Sequence, residues 1–147
     1  MSTKYRILVI DDEPIVTMSC ERILEQEGLF EIRSETDALR GLEKAITGKF
    51  DLILLDIGLP DMSGWEFLRT LRERVEWRAV PVVVVSAFVE PSDAKSDSYP
   101  EYQRYLSKME TARELVPLVR EVLESAGQDE AAPSAESESD QTWPLAA

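Results

Sequence analysis

Five polar side chains stand where apolar runs stop. Asp11 and Asp12 follow Tyr5 to Ile10, Asp56 follows Leu52-Ile53-Leu54-Leu55, Ser86 follows Val82 to Val85, and Lys108 follows Tyr102 to Ser107. Three carboxylates placed together repel one another, and a hard divalent cation relieves that repulsion. Oxygen ligands from one or two carboxylates, water and a phosphate suit Mg2+. A lysine and a hydroxyl opposite the metal can hold the remaining phosphoryl oxygens. The metal and the lysine would stabilise charge on a transferring phosphoryl group while an aspartate attacks in line. The set therefore reads as an aspartyl-phosphate site. Taken singly, each member has an ordinary explanation. The Asp pair suits a helix cap, Asp56 a turn, Ser86 a loop hydroxyl, and Lys108 a solvated surface lysine. Their joint placement carries the reading.

That placement depends on the elements between them. Tyr5 to Ile10, Phe30 to Arg33, Leu52 to Asp56, Val82 to Ser86 and Tyr102 to Ser107 are β-rich runs bounded by turn residues. Helical patterns alternate with them. Pro14 suits a first helical turn, with Ile15, Met18, Ile23 and Leu24 as a stripe and Gly28 as the stop. Thr36 or Asp37 caps a helix carrying Ala38, Leu39, Leu42, Ala45 and Ile46, with Gly48 after it. Ser63 and Glu66 have capping-box spacing ahead of Phe67, Leu68, Leu71 and Val75. A last helix starts between Thr111 and Glu114 and carries Leu115, Val116, Leu118, Val119, Val122 and Leu123, with Pro117 in about its first turn. Alternation of this kind implies βαβ units, a parallel sheet and right-handed crossovers. All strand C-termini then share one edge, the usual ligand crevice of such folds. Between Ser86 and Tyr102 there is room for a helix but almost no apolar stripe, so a short or irregular fourth helix is expected there.

Composition narrows the function classes. The 147 residues suffice for one domain with a real core, and 44% are hydrophobic. The net charge of −13 argues against a nucleic-acid-binding surface. Cys20 is the single cysteine, which precludes an internal disulfide and fits a reducing, cytoplasmic setting. No apolar run approaches the ~18 residues of a membrane span, and no signal-peptide pattern opens the chain. Histidine is absent, which removes His-based acid–base catalysis, His metal ligands and a phosphohistidine carrier role. From Gly127 the chain turns to Ala, Ser, Pro and Gln with five uncompensated acids, Asp129, Glu130, Glu136, Glu138 and Asp140. Such a segment buries too little to offset its chain entropy. A folded unit over residues 4–126 and a disordered acidic tail over 127–147, ending in the apolar island Trp143-Pro144-Leu145, are therefore expected.

The motifs I-L-V-I-D-D-E-P, D-L-I-L-L-D-I-G-L-P-D-M-S-G, V-V-V-V-S-A and Y-L-S-K, in that order and spacing, resemble the receiver domains of two-component response regulators over about residues 4 to 126. The resemblance implies a flavodoxin-like, doubly wound parallel sheet of order 2-1-3-4-5. It implies Asp56 as phosphoacceptor, charged by a histidine kinase or phosphotransfer protein. Mg2+ would be bound by Asp12, Asp56 and the Gly58 carbonyl directly and by Asp11 through water. Ser86 matches the switch hydroxyl, Lys108 its ion-pairing lysine, and Tyr105 the aromatic that turns inward on activation. A stand-alone switch signalling through contacts with a downstream protein is expected, with no enzymatic turnover beyond its own phosphorylation and dephosphorylation. Two other readings exist: a degenerate receiver serving as a binding module, and an Asp-nucleophile phosphatase. Haloacid-dehalogenase-like phosphatases usually need a second acid two residues after the nucleophile, where Gly58 stands here, and a cap for which the chain has no spare length.

Two positions depart from the family pattern. Met109 replaces the proline that usually follows the lysine. A cis bond before a non-proline costs roughly 3–4 kcal/mol, so a trans Lys108–Met109 bond is expected, or a strained cis one held by the site. Tyr99-Pro100-Glu101 replaces the usual Gly-Ala approach to the fifth strand, which puts the usual dimerisation or output face in question. The resemblance implies that Gly58 and Phe88 occupy positions that tune phosphate lifetime by gating water, with Gly58 expected to open space and Phe88 to oppose it.

Overall fold

A computed structural model describes residues 4–74, 80–87 and 102–131. Five parallel strands form one sheet in the order β2-β1-β3-β4-β5. They are β1 (Tyr5–Ile10), β2 (Phe30–Glu35), β3 (Leu52–Asp56), β4 (Val82–Ser86) and β5 (Arg104–Ser107). The helices are α1 (Pro14–Glu25), α2 (Ala38–Thr47), α3 (Gly64–Arg74) and α4 (Thr111–Ala131).

Strand alternation sorts the core into two layers. Leu8, Ile10, Ile53, Leu55, Val82 and Val84 face α2 and α3, packing on Ala38, Leu42, Ala45, Phe67, Leu68 and Leu71. Ile7, Val9, Leu52, Leu54, Val83 and Val85 face α1 and α4, packing on Cys20, Leu24, Leu115, Leu118 and Val119. Both faces of the three central strands are thus covered, which is why they read as unbroken apolar runs rather than as alternating ones.

Local signals account for most helix ends. The Asp37 carboxylate accepts the Arg40 N–H at 2.9 Å, which decides between the two candidate caps. The Ser63 hydroxyl accepts the Trp65 N–H at 3.0 Å, and Glu66 reaches back to accept the Ser63 N–H at 3.2 Å, a capping box. Gly28 lies at φ +70°, a left-handed conformation that glycine adopts without strain.

Several expectations need correction. On α1 the buried positions are Thr17, Cys20 and Leu24, while Ile15 and Met18 are 78% and 60% exposed. Thr17, Cys20 and Leu24 recur at i, i+3 and i+7, and Ile15 and Met18 fall off that arc. Thr17 tolerates burial because its hydroxyl donates to the Pro14 carbonyl at 2.9 Å. Leu39 is likewise exposed on α2. Strand β2 continues to Glu35, because pairing with β1 runs the full length to Ile10↔Glu35. Strand β5 begins at Arg104, two residues later than its apolar run. Pro117 is the seventh residue of α4, beyond its first turn, so the Arg113 carbonyl loses its usual helical donor there. Helix α4 also continues to Ala131, past the composition change at Gly127. Val75, Phe88, the segment expected to form a short or irregular fourth helix, and the chain beyond Ala131 lie outside the described residues. Among the described residues, no helix is long and apolar enough to cross a membrane.

Candidate functional site

Strand register brings the polar ends together. Ile10 pairs with Leu55, so Asp11 and Asp56 leave neighbouring strands at the same level. Asp56 pairs with Val85 and Ser86 with Ser107, which puts Ser86 and Lys108 one step further along the same edge. Asp11, Asp56 and Ser86 are buried. Oxygens of Asp11, Asp12 and Asp56 all lie within 4.8 Å of one another.

Backbone groups hold the two buried acids. The Asp11 N–H donates to the Glu35 carbonyl at 3.2 Å, extending the β1–β2 ladder by one bond. Asp11 Oδ1 accepts the Glu13 N–H at 2.9 Å, a local Asx-type turn that leads into α1. Asp56 Oδ1 accepts the Gly58 N–H at 3.0 Å. Lys108 closes the cluster from β5. Its ammonium lies 3.0 Å from Asp11 Oδ2, 3.1 Å from Glu13 Oε1 and 3.4 Å from Asp56 Oδ2. Lys108 opens a single 3-10 turn, Lys108–Glu110, in which the Ser107 hydroxyl accepts the Met109 N–H at 3.2 Å. The Lys108–Met109 peptide is trans, as expected for a non-prolyl bond.

Electrostatics follow from this geometry. Burial raises the Asp56 pKa above its ordinary 3.8, and the neighbouring Asp11 charge adds to that, while the Gly58 N–H and Lys108 pull the other way. Lys108 is shared among three acids, and Asp56 has its longest contact. Burial alone would lower the Lys108 pKa, but hydrogen bonds to Asp11 and Glu13 and the Asp56 charge raise it well above the usual lysine range. The cluster therefore holds more negative charge than its one cation balances.

A stability prediction follows. Asp56→Asn removes a penalised charge while its side-chain oxygen can still accept the Gly58 N–H. The variant should unfold at higher urea than the wild type at pH 7. The advantage should shrink as pH falls through the raised Asp56 pKa, where the wild-type carboxyl takes up a proton and loses its penalty. Equal urea midpoints at pH 7 would show that burial of this charge costs nothing.

Tyr105 is half-buried in β5. Its ring stands edge-on to Tyr102 at 6.3 Å, and Tyr102 lies 5.6 Å from Trp65 at the start of α3. A Cβ at Gly58 would sit 3.8 Å from Asp56 Oδ1, an ordinary contact and the nearest one among the described residues. Two residues had no role assigned from sequence. Glu13 reaches Lys108 across 95 positions, and only the tertiary fold reveals it. Gly64 lies so close to the loop after β3 that a Cβ would meet the Ile57 Cα at 2.5 Å. The signal for Gly64 was a glycine at the first position of a helix, a poor place for one on propensity.

The sequence pattern of the response regulator receiver domain matches residues 7–120. The KDP operon transcriptional regulatory protein KdpE of Escherichia coli (strain K12) is 43% identical over 102 residues, which cover 69% of this chain and 44% of KdpE. The chain thus spans about half or less of the length of curated relatives such as this one. A CheY-like receiver domain protein of Methanospirillum hungatei JF-1 superposes with a TM-score of 0.77 at 28% identity, covering 86% of this chain and 99% of that one. The response regulator TrrA of Thermotoga maritima, solved in complex with Mg(2+)-BeF, superposes at 0.67 with 29% identity over 80% of this chain and 98% of TrrA. Sheet order, acidic edge and sequence pattern agree, and the chain belongs to the response regulator receiver domain family.

Proposed function

We propose that this chain is a phosphorylation-controlled signalling switch with Asp56 as phosphoacceptor. One observation carries the reading: the fold brings Lys108 to 3.4 Å from Asp56, 52 positions away, on the same edge as the acidic cluster of Asp11, Asp12 and Asp56. The donor set is all hard oxygen with surplus negative charge, and it fits Mg2+. Asp12, Asp56 and the Gly58 carbonyl would hold the ion directly and Asp11 through water. Bound there, Mg2+ would supply positive charge to the phosphoryl oxygens. The Mg(2+)-BeF complex of TrrA supports this assignment.

In the step itself, an Asp56 carboxylate oxygen forms the new bond to phosphorus as the bond to the donor nitrogen breaks. The nitrogen leaves with the bonding electron pair. Lys108 neutralises charge on the transferred group, and the buried Ser86 hydroxyl bonds to it. Ser86 and Tyr105 then bias a two-state switch. The donor is a histidine kinase or phosphotransfer protein, consistent with a chain that has no histidine of its own. Output runs through contacts with another protein rather than through nucleic acid, given the −13 charge. The chemistry is self-modification, with no turnover of an external substrate. Residues 4–126 form the switch and 127–147 an acidic appendage. The Cys20 thiol, pushed up to about 11 by burial and by Asp11, is inert and suits the cytoplasm.

Incubation with phosphoramidate and MgCl2 should add one alkali-labile phosphoryl group, visible by intact mass, that is absent without Mg2+ and in Asp56→Asn. No adduct on the wild type would sink the switch and favour a binding module. Steady hydrolysis of p-nitrophenyl phosphate would favour a phosphatase instead.

A further inference from the structure

Lys108 has three N–H donors and three carboxylate partners, one of which lies outside the acidic cluster. Glu13 Oε1 is 3.1 Å from its ammonium. The Glu13 backbone is fixed: its N–H donates to Asp11 Oδ1, and its carbonyl accepts the Val16 and Thr17 N–H groups that start α1. Its side chain makes no cap hydrogen bond to the helix, although Glu13 stands at the N-cap. That carboxylate instead reaches across to β5.

A phosphoryl group arriving on Asp56 needs an N–H of Lys108, so one carboxylate must give way. The three candidates differ in what release costs. The side chains of Asp11 and Asp56 are 3% and 5% exposed, whereas that of Glu13 is 61% exposed. A buried carboxylate that loses its cation is left uncompensated, while an exposed one returns to water at little cost. Glu13 is therefore the partner that leaves.

We propose that Glu13 is a positioning residue that holds Lys108 in a resting ion pair and yields it to the incoming phosphoryl group, so that it sets the rate of phosphorylation. The inference rests on the reading of Asp56 as phosphoacceptor. Glu13 acts on the site through its ion pair with Lys108. Its release returns one ammonium N–H to the site at the moment when negative charge arrives there.

The test measures the initial rate of phosphoryl-adduct formation from phosphoramidate, with MgCl2, in wild type, Glu13→Gln and Glu13→Asp. Glutamine removes the charge. Aspartate keeps it but is one methylene, about 1.5 Å, shorter, and at an N-cap it turns to the helix amides. Both variants should react about two- to fivefold faster than wild type, the range expected for losing an exposed ion pair. In a Lys108→Ala background, Glu13→Gln should give no acceleration. Wild-type rates in Glu13→Gln would overturn the inference. So would acceleration in Glu13→Gln with a wild-type rate in Glu13→Asp, since that pattern is plain repulsion of an anionic donor. Either result, with Asp56 labelled normally in the wild type, leaves the phosphoacceptor reading intact. An unlabelled wild type would remove both.

Discussion

Lys108→Ala should lower stability by about 3 kcal/mol in metal-free buffer and should regain much of that loss on addition of MgCl2. Among the described residues, Lys108 makes the ion pairs of both Asp11 and Asp56. Removing it leaves two buried carboxylates side by side with no cation, and breaking a buried pair from one side costs about 3–5 kcal/mol. The lower figure applies because the Lys108 side chain is 17% exposed and water can enter its place. A divalent cation bound by the same acids replaces the missing charge, so Mg2+ should shift the urea midpoint of the variant further than that of the wild type. The pH dependence has a definite sign. Lys108 is held above its ordinary 10.5, so its stabilisation is complete below that pH and fades only as pH rises through the raised value. At the acid end the advantage of the wild type shrinks as pH falls through the raised Asp56 pKa, where that carboxyl takes up a proton and ceases to attract the ammonium. Between those limits the gap should stay flat. The phosphorylation rate should fall about 10²-fold, as for removal of one charge-stabilising donor. A variant that unfolds at the wild-type urea midpoint without metal would show that the three ion pairs carry no weight. This prediction and the expected gain from Asp56→Asn share one cause, since the site has surplus negative charge that one change worsens and the other relieves.

The acids, the serine and the lysine were legible in the chain because each ends an apolar run, and parallel pairing sends all such ends to one edge. Sheet order was legible only through family resemblance. Hydrophobic periodicity places strands but not their neighbours. The apolar stripe of α1 was misread for a physical reason. Ile15 and Met18 are larger hydrophobes than Thr17 and Cys20, yet the arc facing the sheet carries those two together with the expected Leu24. Thr17 hides there because a local hydrogen bond satisfies its hydroxyl. Glu13 was invisible as a partner of Lys108 because nothing local distinguishes an exposed glutamate before a helix from any other. Contacts made across 95 positions leave no mark in spacing.

Gly64→Ala should be the most damaging small substitution in the loop that follows Asp56, costing about 2–3 kcal/mol. An added Cβ would lie 2.5 Å from the Ile57 Cα and 2.6 Å from the Asp56 carbonyl oxygen. Both are backbone atoms, so no side chain can swing aside to make room. The start of α3 is pressed onto the end of β3 there, and the Gly64 N–H donates to the Ile57 carbonyl at 2.9 Å. Relief of the collision needs a displacement of about 1 Å, which stretches that hydrogen bond and moves the peptide that follows Asp56. Overpacking of this kind costs typically 1–3 kcal/mol. The same shift loosens the Gly58 N–H from Asp56 Oδ1, a bond that orients the Asp56 carboxylate. Adduct formation from phosphoramidate should therefore slow even in the fraction that remains folded. Gly58→Ala is the internal control. Among the described residues its Cβ would meet only Asp56 Oδ1, at 3.8 Å, so its urea midpoint should stay within about 0.5 kcal/mol of wild type. If Gly64→Ala were as stable as Gly58→Ala, the close approach of α3 would place no constraint on the site. If it lost stability yet labelled at the wild-type rate, the loop would hold Asp56 independently of the helix behind it.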